Sequence, residues 1–213
     1  MIKAIIFDRD GVLIDSEMIH KESIKQGLKK VGFNFDETDF KQIYARSPDH
    51  YKEFLLSKYP VDWEEYRKIQ REFYYSLLSK NCLVREVVEL AKVLKEKGYK
   101  LGIATSTKRE VTTKILEDFG IRNYFDEIVG LEDTVKHKPN PDPYLKAAEL
   151  LKVNPKHCLV LEDSVLGLTA AKAAGMKCLI IKTNVFFEQD YSQADLVLTP
   201  KETTYENIKY LLD

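Results

Sequence analysis

The stretch FDRDGVLIDS, residues 7–16, follows the apolar run Ala4-Ile5-Ile6 and closes it with two aspartates separated by one arginine. A short, near-continuous apolar run suits a strand covered on both faces. The abrupt change to acid marks the strand's carboxyl end, and Gly11 gives the chain freedom to turn sharply there. Three runs of the same kind follow at residues 101–104, 158–161 and 178–181, with a weaker one at 127–129.

Helical periodicity fills the intervals. Val87, Leu90, Ala91 and Leu94 precede Gly98; Val111, Ile115 and Phe119 precede Gly120; Leu168, Ala171 and Ala174 precede Gly175; Leu145, Ala148 and Leu151 form a fourth set. Glycine after the last apolar position is a helix stop. Strands alternating with amphipathic helices predict an α/β fold built on a doubly wound parallel sheet, with the ligand outside the strands' carboxyl ends. The C-terminal ADLVLTPKETTYENIKYLLD reads as a short strand and a closing helix.

Residues 16–81 break the alternation. They are rich in aromatics and charge and read as successive helices, with Ile19, Ile24, Leu28, Ile43, Phe54, Leu55, Trp63, Ile69, Phe73 and Leu77 as a small core. The expected organisation is an α/β core from residues 1–15 and 82–213, interrupted by a helical cap at 16–81. Asp15 and Ser16 are expected to end the hinge and cap the first inserted helix.

The 213 residues are 44% hydrophobic, enough for a packed core, and the charged 31% nearly cancel to a net −1. That balance offers no basic field for nucleic acid or an anionic membrane. Cys82, Cys158 and Cys178 lack metal-finger spacing and read as reduced thiols. No run approaches the ~20 apolar residues of a membrane span, and a charge interrupts the N-terminal run too early for a secretory signal. A cytoplasmic monomer or small homo-oligomer is expected.

Polar groups follow each main strand: Asp8-Arg9-Asp10-Gly11, Thr105-Ser106-Thr107 and Glu162-Asp163-Ser164, with Lys138 in KHKPNPDPYL near the start of a helix. In a parallel sheet they converge on one rim. Carboxylates gathered in one crevice repel unless a cation sits among them, and oxygen-only ligands suit Mg²⁺. Hydroxyls, an ammonium and backbone N–H groups beside them suit an anion rich in acceptor oxygens, so the rim reads as a phosphoryl-transfer site. Asp8 is the natural nucleophile, and Asp10 the group to protonate the leaving oxygen and later deprotonate water.

Asp8-Arg9-Asp10-Gly11-Val12, Thr105 after LGIA, Lys138-Pro139 with Asp142, and Glu162-Asp163-Ser164 occur in that order over nearly the whole chain. Together they resemble the haloacid dehalogenase superfamily of aspartate-nucleophile phosphohydrolases, within it the phosphatase and β-phosphoglucomutase group with a helical cap. The resemblance implies that Asp8 is nucleophile and metal ligand, and that Asp10 is general acid and base with its main-chain carbonyl on Mg²⁺. It implies further that Thr105 and the Ser106 amide hold the phosphoryl group and that Lys138 neutralises charge. Asp163 would complete the metal shell, with Glu162 as ligand or just behind it. The implied partner is a small phosphorylated metabolite of the sugar phosphate or phosphoglycolate type. A dehalogenase needs no general acid, so Asp10 argues for phosphate.

The cap separates a phosphatase from a phosphomutase. His20 stands where the mutases carry a cap histidine. Their phosphate-gripping arginine matches Pro48 here, with Arg46 two residues earlier, which weakens the mutase reading. A catalytically silent phosphometabolite-binding protein is the reading from another class. Arg-Glu at 85–86 replaces a usual Pro-Gly pair. Arg9 replaces an apolar residue, and a structural ion pair is favoured for it over a substrate contact. His50, His137 and His157 read as solvated surface.

Overall fold

The apolar runs pair in parallel into one six-stranded sheet of order β3-β2-β1-β4-β5-β6 in the computed structural model, which describes residues 1–43, 48–183 and 189–213. In chain order the described elements begin with β1 (Ala4–Phe7), α1 (Glu17–Lys30), α2 (Phe40–Ile43), α3 (Pro48–Lys58), α4 (Trp63–Leu77) and α5 (Arg85–Glu96). They continue with β2 (Lys100–Ala104), α6 (Arg109–Phe119), β3 (Glu127–Val129), α7 (Asp142–Leu151), β4 (Cys158–Glu162) and α8 (Val165–Ala173). The chain closes with β5 (Lys177–Ile181), β6 (Leu196–Leu198) and α9 (Tyr205–Leu212).

The order carries the functional consequence. The chain builds outward from β1 through β2 to β3, then returns to β4 on the other side of β1 and builds outward again. A doubly wound sheet opens its ligand crevice where the winding reverses, at the carboxyl ends of the strands. Here that point is β1, flanked in register by β2 and β4, with Phe7 opposite both Ile103 and Leu161. Every residue of β1 and β4 is buried, which explains their unbroken apolar character. The edge strand β6 is half exposed, with Val197 open to solvent.

One face of the sheet packs Ala4, Ile6, Val160, Cys178 and Ile180 against Tyr144, Ala147, Ala148 and Leu151 of α7 and against Leu168 and Ala171 of α8. The fourth helical set differs from its expectation at Leu145, which is exposed, while Tyr144 is fully buried. In α6 the buried face is Thr112, Ile115 and Leu116, a frame that places a hydroxyl in the interior.

The chain divides into two compact units, Met1–Ile14 with Leu83–Asp213, and Asp15–Cys82. In the second, α1 packs along α4, and Ile24, Leu28, Phe40, Ile43, Leu55, Tyr59 and Tyr66 form a core. Leu77, expected inside, is exposed, while Tyr74 and Gln70 of α4 are buried and Gln70 donates to Ser23 Oγ at 2.6 Å. Ser16 occupies the N-cap position of α1, but its side chain makes no capping bond, so the expected cap is positional only. His50 is exposed, with its ring against the Gln42 carbonyl. Among the described residues no helix is long and apolar enough to cross a membrane.

Because Ile6 sits fully buried on the central strand, Ile6→Ala is expected to lower the unfolding free energy by about 2–5 kcal/mol. Chemical denaturation read by circular dichroism measures this, and a loss well under 1 kcal/mol would contradict the packing.

Candidate active site

β1 ends at Phe7, so Asp8 is the first residue past the strand; its N–H still donates to the Leu161 carbonyl at 2.9 Å, which holds it against β4. The chain then turns tightly: Gly11 N–H donates to Ile14 O at 2.7 Å, and Leu13 and Ile14 both donate to Arg9 O. Gly11 has φ +77°, and a side chain there would meet Asp163 Oδ2 at 1.9 Å. Glycine at this position therefore serves the turn and also lets the Asp163 carboxylate lie against the backbone.

Lys138 binds the strand ends together. Its ammonium donates to Asp8 Oδ1 at 2.8 Å, to Glu162 Oε1 at 2.6 Å and to the Ala104 carbonyl at 3.1 Å, and lies over the Tyr144 ring at 4.8 Å. It stands in the turn before α7, on the segment returning from β3. Only 8% of its side chain is exposed, so the ion pairs operate with little screening.

Glu162 is wholly buried at the end of β4 and fully engaged. Oε1 accepts from Lys138 and from Tyr144 Oη at 2.6 Å, while Oε2 accepts from the Asp163 and Ser164 N–H groups and from Ser164 Oγ. A side chain at Gly167 would reach Glu162 Oε1 at 1.7 Å, so the first turn of α8 is shaped around this carboxylate.

Asp8, Glu162 and Asp163 each offer an oxygen within 4.8 Å of the others. Burial lifts the Asp8 carboxyl to about 7 against the pull of Lys138, with Glu162 and Asp10 adding to the rise. Burial, followed by repulsion from Glu162 and Asp8, pushes Asp163 well above the usual carboxylate range. Burial also works against the Glu162 anion, but the Lys138 charge and the donors around it hold its carboxyl below the ordinary value. Burial opposes the Lys138 ammonium, yet Asp8 and Glu162 raise its affinity for the proton.

The donor set fits a hard divalent cation. One ammonium stands among three carboxylates, and the Asp163 carboxylate accepts no hydrogen bond from the described residues. A cation among these oxygens opposes the repulsion that raises Asp8 and Asp163.

Thr105 lies just past β2, buried, its hydroxyl accepting from Thr107 N–H at 3.2 Å; Ser106 beside it is exposed. The Asp10 carboxylate is bound to Arg9, Nη2 to Oδ2 at 2.6 Å. His20 is exposed on α1, stacked on Tyr74 at 4.5 Å between ring centroids. Arg46 lies outside the described residues.

Three contributors were not read from the sequence. Tyr144 supports Lys138 and Glu162, and Gly167 makes room for Glu162. Tyr191 donates to the Asp163 carbonyl at 2.7 Å. Only Gly167, a glycine inside a helical pattern, carried a local signal.

Carboxylates at the switch point, paired with a buried lysine and backed by a further acid, are what this α/β fold gathers at the carboxyl ends of its central strands. The profile described as haloacid dehalogenase-like hydrolase matches residues 5–181, and the chain belongs to that family. It is similar to PpaX of Caldanaerobacter subterraneus subsp. tengcongensis, a candidate pyrophosphatase, at 34% identity over 86% of this chain and 83% of the relative. The phosphorylated carbohydrates phosphatase of Thermotoga maritima is 31% identical over 83% of each chain. Among solved structures, β-phosphoglucomutase from Clostridium difficile superposes with a TM-score of 0.81 at 27% identity, over 99% of this chain and 96% of that one.

Gly167→Ala is expected to destabilise the protein by about 1–3 kcal/mol through overpacking and to depress phosphatase activity by displacing Glu162 from Lys138. Thermal unfolding and steady-state rates together check this, and an unperturbed variant would refute the packing described for Glu162.

Proposed function

We propose that the protein hydrolyses a small phosphorylated metabolite, of the sugar phosphate or phosphoglycolate type, through an aspartyl-phosphate intermediate. The observation that supports this is the Lys138 ammonium on Oδ1 of Asp8, while Oδ2 accepts no hydrogen bond from the described residues. That oxygen is the one assigned to attack phosphorus.

In the first half-reaction an Asp8–phosphorus bond forms as the ester P–O bond breaks, and Asp10 gives its proton to the departing oxygen. In the second, water attacks the same phosphorus, Asp10 takes its proton, and the bond to Asp8 breaks to release inorganic phosphate. The Thr105 hydroxyl and the Ser106 amide are assigned to the phosphoryl oxygens. Asp8, Asp163 and the Asp10 carbonyl are assigned to Mg²⁺, which when bound supplies positive charge for the phosphoryl oxygens. Glu162, with both oxygens occupied by protein donors, is assigned to anchoring Lys138 rather than to direct ligation. Selection among esters is assigned to the inserted helical unit, where His20 and Arg46 lie.

The fold similarity to β-phosphoglucomutase keeps one further reading in view, a sugar phosphomutase. The relatives at 31–34% identity carry phosphatase or pyrophosphatase names, which favours hydrolysis.

Asp8→Asn and Asp8→Ala are expected to abolish both Mg²⁺-dependent phosphate release and capture of beryllium fluoride; full activity in either variant sinks the mechanism. Incubation of the native protein with β-glucose 1-phosphate and a bisphosphate primer separates the two enzymes. Phosphate release supports the hydrolase, and isomerisation without release supports the mutase. No Mg²⁺-dependent release from sugar phosphates, phosphoglycolate, nucleotides or an aryl phosphate would point instead to a silent binding protein.

A further inference from the structure

Arginine is rarely fully buried unless it is paired, yet the Arg9 side chain is 1% exposed while that of its partner Asp10 is 27% exposed. Nε and Nη2 of Arg9 both donate to Oδ2 of Asp10, at 3.2 and 2.6 Å. The same guanidinium donates to Thr107 Oγ1 at 2.9 Å and to Thr112 Oγ1 at 3.4 Å. Thr107 follows β2 and Thr112 is wholly buried on α6, so two elements distant in sequence fix the guanidinium plane, and that plane fixes the Asp10 carboxyl.

A buried ion pair is poor evidence for stability, because well-packed apolar groups of similar volume commonly do as well. What this pair supplies is orientation. Two N–H donors converge on Oδ2, so the guanidinium sets the direction in which the Asp10 carboxyl plane lies. We propose that Arg9 is a positioning residue that holds the Asp10 carboxyl in one orientation for proton transfer to the departing ester oxygen. This rests on the general-acid reading of Asp10 given above. Proton transfer is sensitive to donor placement on the scale of a single hydrogen bond, and a long, buried, cationic fork one residue away fixes that placement without occupying the rim.

The test uses the full chain with Mg²⁺ and two aryl esters that differ in leaving-group basicity, phenyl phosphate and 2,4-dinitrophenyl phosphate. The first needs a proton on its leaving oxygen and the second does not. kcat/KM reports the steps up to phosphorylation of Asp8, so the later water attack does not blur the comparison. Arg9→Met is expected to lose about 100-fold or more in kcat/KM on phenyl phosphate, the scale of general acid catalysis. On 2,4-dinitrophenyl phosphate it should lose much less, with KM for both little changed.

Equal losses on the two esters, or no loss on phenyl phosphate, would overturn the proposal. Should Arg9→Met fail to fold, Arg9→Lys carries the same test, since it keeps the charge but not the two-nitrogen fork. It should show the same ester-dependent loss, and native kinetics in it would equally overturn the proposal. Asp10→Asn separates the two levels of inference. If it shows no ester-dependent loss, the general-acid reading itself fails; if it does and the Arg9 variants do not, only the role given to Arg9 fails.

Discussion

The Lys138 ammonium, bonded at once to Asp8, Glu162 and the Ala104 carbonyl, is the contact on which the rest of the site depends. Three carboxyl oxygens within 4.8 Å of one another amount to a repulsive arrangement in a region of low dielectric. A buried lysine without partners would itself be costly, and so would a buried glutamate. Each becomes tolerable only because the other is there with its remaining donors and acceptors matched. Lys138 is the common partner: removing it leaves two buried carboxylates without their cation, whereas removing either acid leaves the ammonium paired with the other.

Sheet topology makes this contact feasible. Asp8 and Glu162 sit at the ends of neighbouring strands, β1 and β4, while Lys138 arrives on the segment that crosses back from β3. The reversal in strand order is what forces that crossing, so the lysine reaches the centre of the sheet because the winding changes direction there. Close packing then finishes the site. Gly11 admits the Asp163 carboxylate and Gly167 admits Glu162, each where any side chain would collide.

Much of this was legible in residues 7–16 and their counterparts, for a physical reason. Strands buried on both faces leave near-continuous apolar runs, and a sheet whose ligand lies at the carboxyl ends puts polar chemistry directly after each run. The six strands and the helices between them follow from that grammar. What was not legible depends on which side of a helix finds a partner. Leu145 looked like core but is exposed, because the α7 face is set by Tyr144 beneath Lys138. The set Val111, Ile115 and Phe119 left out Thr112, which is buried on α6 and accepts from Arg9. Leu77 and Ser16 differ similarly: apolarity at helical spacing and a serine before a helix describe tendencies, and here Leu77 is exposed and Ser16 makes no side-chain cap bond. Tyr191 could not be read at all, since its bond to the Asp163 carbonyl spans 28 residues and leaves no local pattern.

Asp8 and Asp10 stand two residues apart on one turn, and each faces a cation of a different kind. Lysine offers Asp8 a compact charge shared with Glu162, which leaves Asp8 Oδ2 without a donor among the described residues. Arginine offers Asp10 a planar set of donors aimed at a single oxygen, itself held by two threonines. Under the proposed mechanism Asp8 passes from carboxylate to acyl phosphate, and a point charge suits that change because it imposes little direction as the charge shifts. Under the same proposal Asp10 only gains and loses a proton, and a fixed fork suits that role. The two aspartates are alike in sequence; what distinguishes them is the geometry of the cation each is given.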